Sequence, residues 1–162
     1  MSEGARADGA PHDAGVSDAA RALLAELPVR GLLDTLGITI VEAEPSRVVA
    51  TMPVGPRVHQ PYGLLHGGAS VALAESVASI AGALNVDRTR HMCVGLEINA
   101  NHVRGKRDGM VTATGTPLHL GRATQVWDVR TVDEQGRLVS VSRCTLAVVP
   151  LERGERGERA AR

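Results

Sequence analysis

The residues best placed to do chemistry lie in one loop and the helix that follows it. The loop reads His59-Gln60-Pro61-Tyr62-Gly63-Leu64-Leu65-His66-Gly67-Gly68 and runs into Ala69-Ser70-Val71-Ala72-Leu73-Ala74-Glu75-Ser76-Val77-Ala78-Ser79. The helical part is apolar almost all round, a pattern expected of a helix buried on every side. One carboxylate, Glu75, sits in its middle. A carboxylate in such a place is costly unless it is paired, protonated or used. No Lys or Arg lies on the helix to pair with it. Positions three, four and seven away share its face, namely Val71, Ala72, Ala78, Ser79 and Gly82, so that face is small and apolar with one hydroxyl.

The loop supplies polar partners. Gly67 and Gly68 at a helix start offer unobstructed N–H groups and the positive end of the helix dipole, which suits a carbonyl oxygen that becomes an oxyanion. Gln60 cannot act as a base, but its amide can orient a carbonyl or a water. His66 either polarises that carbonyl or satisfies a backbone group of the loop; its position fits both. Ser70, Ser76 and Ser79 lie on the helix without a GxSxG elbow, which disfavours a Ser-His-Asp hydrolase. His59, His91, His102 and His119 lack tight metal-ligand spacing, so no metal site is expected. Cys93 and Cys144 fall in apolar strand patterns, form no CxxC, and are expected to pack rather than react.

The elements that must position these groups follow from the rest of the 162 residues, a length that fits one domain. Lys+Arg and Asp+Glu are both 18, so the formal charge is zero, against a general nucleic-acid binder. There is no Phe, one Trp and one Tyr, so the core is built from aliphatic side chains. No membrane span free of charges and no apolar signal core is apparent, and a cytoplasmic location is expected. Residues 1–16 read as a disordered leader and 151–162, with their Arg-Gly-Glu repeat, as a charged tail. Between them, Ser17 can cap a helix that stops near Pro28, and a second short helix covers Gly31 to Leu36. Strands are expected at 38–43 and 47–52, then the central helix from Gly67 to Leu84. Period-two patterns follow at 92–100, 111–117, 124–132 and 138–149, the last two joined by a turn at Asp133-Glu134-Gln135-Gly136. This order predicts an α+β domain, a mostly antiparallel curved sheet against one long helix. The run of small residues along that helix also suggests a second subunit packed nearby.

Three stretches, HQPYGLLHGGASVALAE (59–75), VGLEINANHVR (94–104) and PLHLGRATQVWDV (117–129), resemble the hot-dog-fold acyl-CoA thioesterases. Within them the resemblance is to the PaaI-like branch that includes the 4-hydroxybenzoyl-CoA thioesterases. It spans about residues 30–150 and implies a sheet wrapped around one central helix. It also implies homodimers that join as tetramers, with active sites at the subunit interface. Carried over, Glu75 is the catalytic carboxylate, as nucleophile or as general base on water, and Gly67 is the oxyanion donor. Gln60 and His66 orient the thioester carbonyl and the water, with Ser79 one turn beyond Glu75. Coenzyme A contacts fall on Gly95, His102, Val103, Arg104 and Gly105, and on His119, Leu120, Gly121, Arg122, Ala123 and Thr124. Val103 stands where relatives can carry a second His, and Gly105 where they can carry Pro.

The implied reaction is hydrolysis of an aryl or medium-chain acyl-CoA, or of an acyl-carrier thioester, to acid and thiol. Coenzyme A would enter as part of the substrate and no separate cofactor is required. Val71, Ala72, Ala78 and Gly82 would line the acyl pocket with residues of a partner subunit. The non-enzymatic alternative is a hot-dog protein that binds acyl-CoA without turnover.

Overall fold

The computed structural model describes residues 16–26 and 31–151. The rest of the expected leader and tail, 1–15 and 152–162, lies outside them. Two short helices, α1 (Asp18–Ala25) and α2 (Leu32–Leu36), precede β1 (Thr39–Glu44) and β2 (Arg47–Val54). The long helix α3 (Gly67–Leu84) follows, and then β3 (His91–His102), β4 (Gly109–Leu120), β5 (Thr124–Asp133) and β6 (Leu138–Pro150). The six strands form one antiparallel sheet in the order β1-β2-β4-β5-β6-β3. The chain therefore leaves β2, passes through α3 and re-enters the sheet at its far edge. β3 is an edge strand, paired on one side only with β6.

Alternation decides which side chains meet the helix. Val111 and Ala113 of β4, Trp127 and Val129 of β5, and Cys144 and Leu146 of β6 are all fully buried. Against them α3 sets Leu73, Ala74, Val77, Ala78 and Ala81, spaced by three and four residues and also fully buried. The approach is close enough to require glycine on both sides. A Cβ at Gly115 would lie 2.6 Å from Val77 Cγ1, and one at Gly82 would lie 2.5 Å from Leu146 Cδ1. α3 is long and apolar enough to cross a membrane, but the sheet covers it along one side.

The structure revises several sequence expectations. α3 is not buried all round: Glu75, Ser76 and Ser79 lie on a half-exposed face. Ala78 and Gly82 belong to the helix–sheet contact, so they cannot line an acyl pocket. The period of two in β3 breaks at a bulge between Gly95 and Glu97, leaving Leu96 60% exposed. β4 continues past Pro117 to Leu120, with a second bulge directly after that proline. Val16, assigned to the leader, packs against the core. Leu151, assigned to the tail, is buried and donates its N–H to Arg90 O at 2.9 Å.

Candidate active site

The loop before α3 is held by its own backbone and by the segment after β3. Gln60 N–H donates to Leu64 O at 2.8 Å and Gly63 N–H to Gln60 O at 2.9 Å. Gly63 takes φ +71°, a left-handed conformation that glycine adopts without strain. Leu65 N–H donates to Lys106 O at 2.7 Å, His66 N–H to Val58 O at 2.8 Å, and His59 Nε2 lies 2.6 Å from Arg107 O. The Gln60 side-chain oxygen accepts the Tyr62 N–H. Because that partner is a donor, the amide must present its oxygen there, which leaves Nε2 free to donate elsewhere.

His66 caps α3. Its Nδ1 accepts the Gly68 N–H at 2.8 Å and its carbonyl accepts the Ser70 N–H at 3.1 Å. The backbone role that the sequence allows is present, and with Nδ1 accepting, Nε2 carries the proton and remains a donor. The Gly67 N–H has no partner among the described residues. It opens on a cleft of about 320 Å³ lined by Gln60, Leu64, Gly67, Ser70, His102, Val103, Arg104 and Gly105, with Leu65 and Val139 completing the wall. The Ser70 hydroxyl lies 3.0 Å from that of Ser140, and both residues are buried. Leu64 and Val139 escaped the sequence reading because apolar residues in a loop or strand carry no chemical signal of their own, and the sequence marks Ser70 only as a candidate nucleophile.

Glu75 lies elsewhere. It is eight residues beyond Gly67, a rise of about 12 Å along the helix axis. Its carboxylate reaches β3: a Cβ at Gly95 would sit 2.9 Å from Glu75 Oε1. Glu75 has no hydrogen-bond or ion-pair partner among the described residues. Burial, with the nearby Glu75 and Glu97 charges, pushes the Cys144 thiol up to about 11, so it stays a protonated packing group at neutral pH.

The remaining sequence candidates divide the same way. In the β4–β5 hairpin, Gly121 N–H donates to Thr124 O at 2.9 Å, and Ala123 O accepts the Val148 N–H at 2.9 Å. Leu120 pairs with Gln125, Gln125 with Leu146, and Leu146 with Gly95. His119, Leu120, Gly121, Arg122, Ala123 and Thr124 therefore sit at the Gly95 end of the sheet. The cleft sits at the other end, where His102 pairs with Ser140. Six residues of β3 separate Gly95 from His102, about 20 Å of strand. The sequence candidates thus fall into two groups: Gln60, Gly67 and 102–105 at one end, and Glu75, Gly95 and 119–124 at the other. The two groups do not meet within the described residues of one chain.

Glu134 fixes the segment that walls the cleft, a role that sequence gave no hint of. It accepts from Lys106 Nζ and, at 2.6 Å, from Met110 N–H, while Lys106 O holds Leu65. The Lys106 hydrogen bond, then the Met110 N–H, lowers the Glu134 carboxyl from its ordinary 4.5 to about 2. A carboxylate depressed by folding stabilises the protein above its unfolded pKa, and that contribution fades as pH falls toward the folded value. Glu134→Gln is therefore expected to lower the thermal midpoint at pH 7. The gap to wild type should close between about pH 4.5 and pH 2. Melting curves across that range check it, and a gap independent of pH would contradict it.

The antiparallel sheet wrapped around α3 is the hot-dog architecture, and its cleft pairs a free helix-start N–H with an oriented amide. A model of the thioesterase superfamily matches residues 62–140. The 1,4-dihydroxy-2-naphthoyl-CoA hydrolase of Listeria monocytogenes is 48% identical over 118 residues, 73% of this chain and 95% of that protein. The enzyme of the same name from Escherichia coli is 56% identical over 100 residues, 62% of this chain and 73% of that protein. Among solved structures, a Haemophilus influenzae thioesterase superposes with TM-score 0.75 at 46% identity, covering 80% of this chain and 91% of its own. A Staphylococcus aureus relative, 44% identical with TM-score 0.73, covers 74% of this chain and 99% of its own. It has been solved as a glutamate-to-alanine and as a glutamine-to-alanine variant, at positions fifteen apart in its numbering. This chain belongs to the thioesterase superfamily and is a thioester hydrolase.

Proposed function

We propose that the substrate is an acyl-CoA, with an aryl acyl group favoured, and that each site is built from two subunits. The observation that carries this reading is the convergence of two unpartnered donors, Gly67 N–H and Gln60 Nε2, on one cleft. Gln60 and Glu75 are fifteen positions apart, the spacing of the two residues replaced in the S. aureus relative. The two relatives that hydrolyse 1,4-dihydroxy-2-naphthoyl-CoA support the aryl group.

Attack on the carbonyl carbon needs a base or nucleophile about 3 Å away. Glu75 of the same chain is too far along α3 to serve a carbonyl held at Gly67. The unpaired edge of β3, with Val94 and Leu96 exposed on it, offers the means to bring a second copy in. Antiparallel pairing of two β3 edges about a twofold axis near Ile98 and Asn99 sets His102 of one subunit opposite Gly95 of the other. The cleft of one subunit then meets Glu75 of the partner subunit. It also brings Arg104 and the partner subunit's Arg122 toward the same bound CoA, whose phosphates suit guanidinium groups. Two such dimers make the tetramer.

In this arrangement Glu75 takes a proton from water as the oxygen adds to the thioester carbon, or attacks that carbon itself to give an acyl anhydride that water then cleaves, supplying the thiolate's proton. The carbonyl electron pair moves to oxygen and is stabilised at Gly67 N–H. Collapse re-forms the carbonyl, breaks the C–S bond, and the thiolate takes up the proton. Water and thioester become acid and thiol, with no redox change and no resident cofactor.

Thiol release from a panel of aryl and aliphatic acyl-CoAs tests this reading. The expected result is turnover, fastest with aryl esters. Esters that raise the thermal midpoint but release no thiol would overturn hydrolysis of CoA substrates and leave only binding.

A further inference from the structure

We propose that His102 is a catalytic residue, the second hydrogen-bond donor to the oxyanion, acting beside the Gly67 N–H; this rests on the thioesterase reading of the cleft. The resemblance to known thioesterases places His102 among the coenzyme A contacts, but the structure puts its ring against the helix start. A Cβ on Gly67 would lie 2.9 Å from His102 Nε2, 3.3 Å from Cδ2 and 3.5 Å from Cε1, so the ring presents its Nε2 edge to Gly67. His102 also lines the cleft that Gly67 opens on. Neither ring nitrogen has a partner among the described residues.

The backbone holds the ring in place. His102 pairs with Ser140 at the end of β3, and the next two N–H groups, of Val103 and Arg104, both donate to Val139 O at 2.9 and 3.2 Å. At the helix start two of the N–H groups are already taken. His66 Nδ1 takes the Gly68 N–H and His66 O takes the Ser70 N–H. An oxyanion with two good lone-pair directions gains most from two donors already in place before charge develops. Gly67 N–H supplies one and the Nε2–H tautomer of His102 supplies the other. Gln60 Nε2 remains to orient the carbonyl or the water.

In the reaction His102 neither gains nor loses a proton. As the oxygen of water adds to the carbonyl carbon, the water proton goes to Glu75 of the partner subunit and the carbonyl π pair becomes the oxyanion. The Nε2–H···O hydrogen bond shortens as that charge grows. When the C–S bond breaks, the pair returns to the carbonyl and the thiolate receives the proton from Glu75. Gly67 would serve twice, through its N–H and through the missing Cβ that lets the ring approach.

The test compares wild type, His102→Ala and His102→Gln on one aryl acyl group carried by coenzyme A and by N-acetylcysteamine, which lacks the nucleotide. Gln keeps an N–H donor near the Nε2 position. His102→Ala is expected to lower kcat by roughly 10²-fold on both thioesters, with KM within about threefold, and His102→Gln to recover about tenfold of the loss. Melting curves show whether each variant is folded, and the Gln variant keeps the test if the Ala variant is not. A loss confined to KM and to the CoA ester would make His102 a nucleotide contact and overturn the proposal. Unchanged kcat on both esters would overturn it too. Glu75→Ala in the same assay separates the two levels: if it stays fully active, the thioesterase assignment of Glu75 fails, whatever His102 does.

Discussion

Glu75→Ala is expected to lower kcat by 10³-fold or so while leaving the thermal midpoint nearly unchanged. Positioned general bases contribute about 10²–10⁴-fold, and a nucleophile contributes at least as much. The carboxylate has no hydrogen-bond or ion-pair partner among the described residues, so its removal strands no buried donor or cation. Glu75→Gln should lose as much activity, because an amide fits the space but cannot take the proton. Rapid-quench or thiol-release kinetics measure the loss, and an active Glu75→Ala protein would dismiss the assignment. The division of the site over two subunits adds a sharper expectation. Glu75→Ala and Gln60→Ala should each be inactive alone. Mixed and allowed to exchange subunits, they should recover about a quarter of wild-type activity, since half the dimers are mixed and each mixed dimer has one intact site. If both residues served the same site from the same chain, every mixed dimer would carry one defect in each site and nothing would be recovered.

The parts of this arrangement that sequence reveals are those fixed by local chemistry. The bounds of α3, the pairing of β1 with β2 and the β5–β6 turn follow from periodicity, Gly37, Pro45 and Asp133. Glu75 stands out because its residue type conflicts with its surroundings. What sequence does not carry is distance across the fold. Gly67 and Glu75 look like members of one cluster when read along a helix, yet the rise per residue puts them about 12 Å apart, too far to act on one carbonyl. His66 fits the profile of a catalytic group, and sequence does not reveal that its ring also holds the Gly68 N–H. His102 reads as a residue of a CoA-binding stretch, and only the packing of β3's end against α3 sets it on Gly67. The bulge after Gly95 is equally silent, because the hydrophobic alternation looks unbroken through Leu96. Gly82, chosen from the helical wheel as pocket lining, turns out to be where Leu146 presses closest.

Trp127→Ala should be the most damaging substitution to stability, through a polar network that the near absence of aromatics makes conspicuous. Trp127 is the one tryptophan of the chain and is fully buried on β5. Its Nε1–H donates to Gln125 Oε1 at 3.0 Å, and Gln125 Nε2 donates to Gly82 O at 3.4 Å, so a side-chain chain of hydrogen bonds ties β5 to the last turns of α3. Truncation removes the largest side chain of the core and leaves Gln125 Oε1 without its donor. Cavity formation of this kind costs about 3–5 kcal/mol, a fall in thermal midpoint of about 10 °C or more for a domain of this size. Trp127→Phe separates the two causes. It keeps most of the aromatic volume and loses the donor, for which about 1–3 kcal/mol is expected. Thermal and denaturant unfolding of both variants measures the difference. A Phe variant as stable as wild type would mean that Gln125 gains nothing from the indole. The grip of β5 on α3 would then rest on the apolar packing of residue 127 and Val129 against the helix.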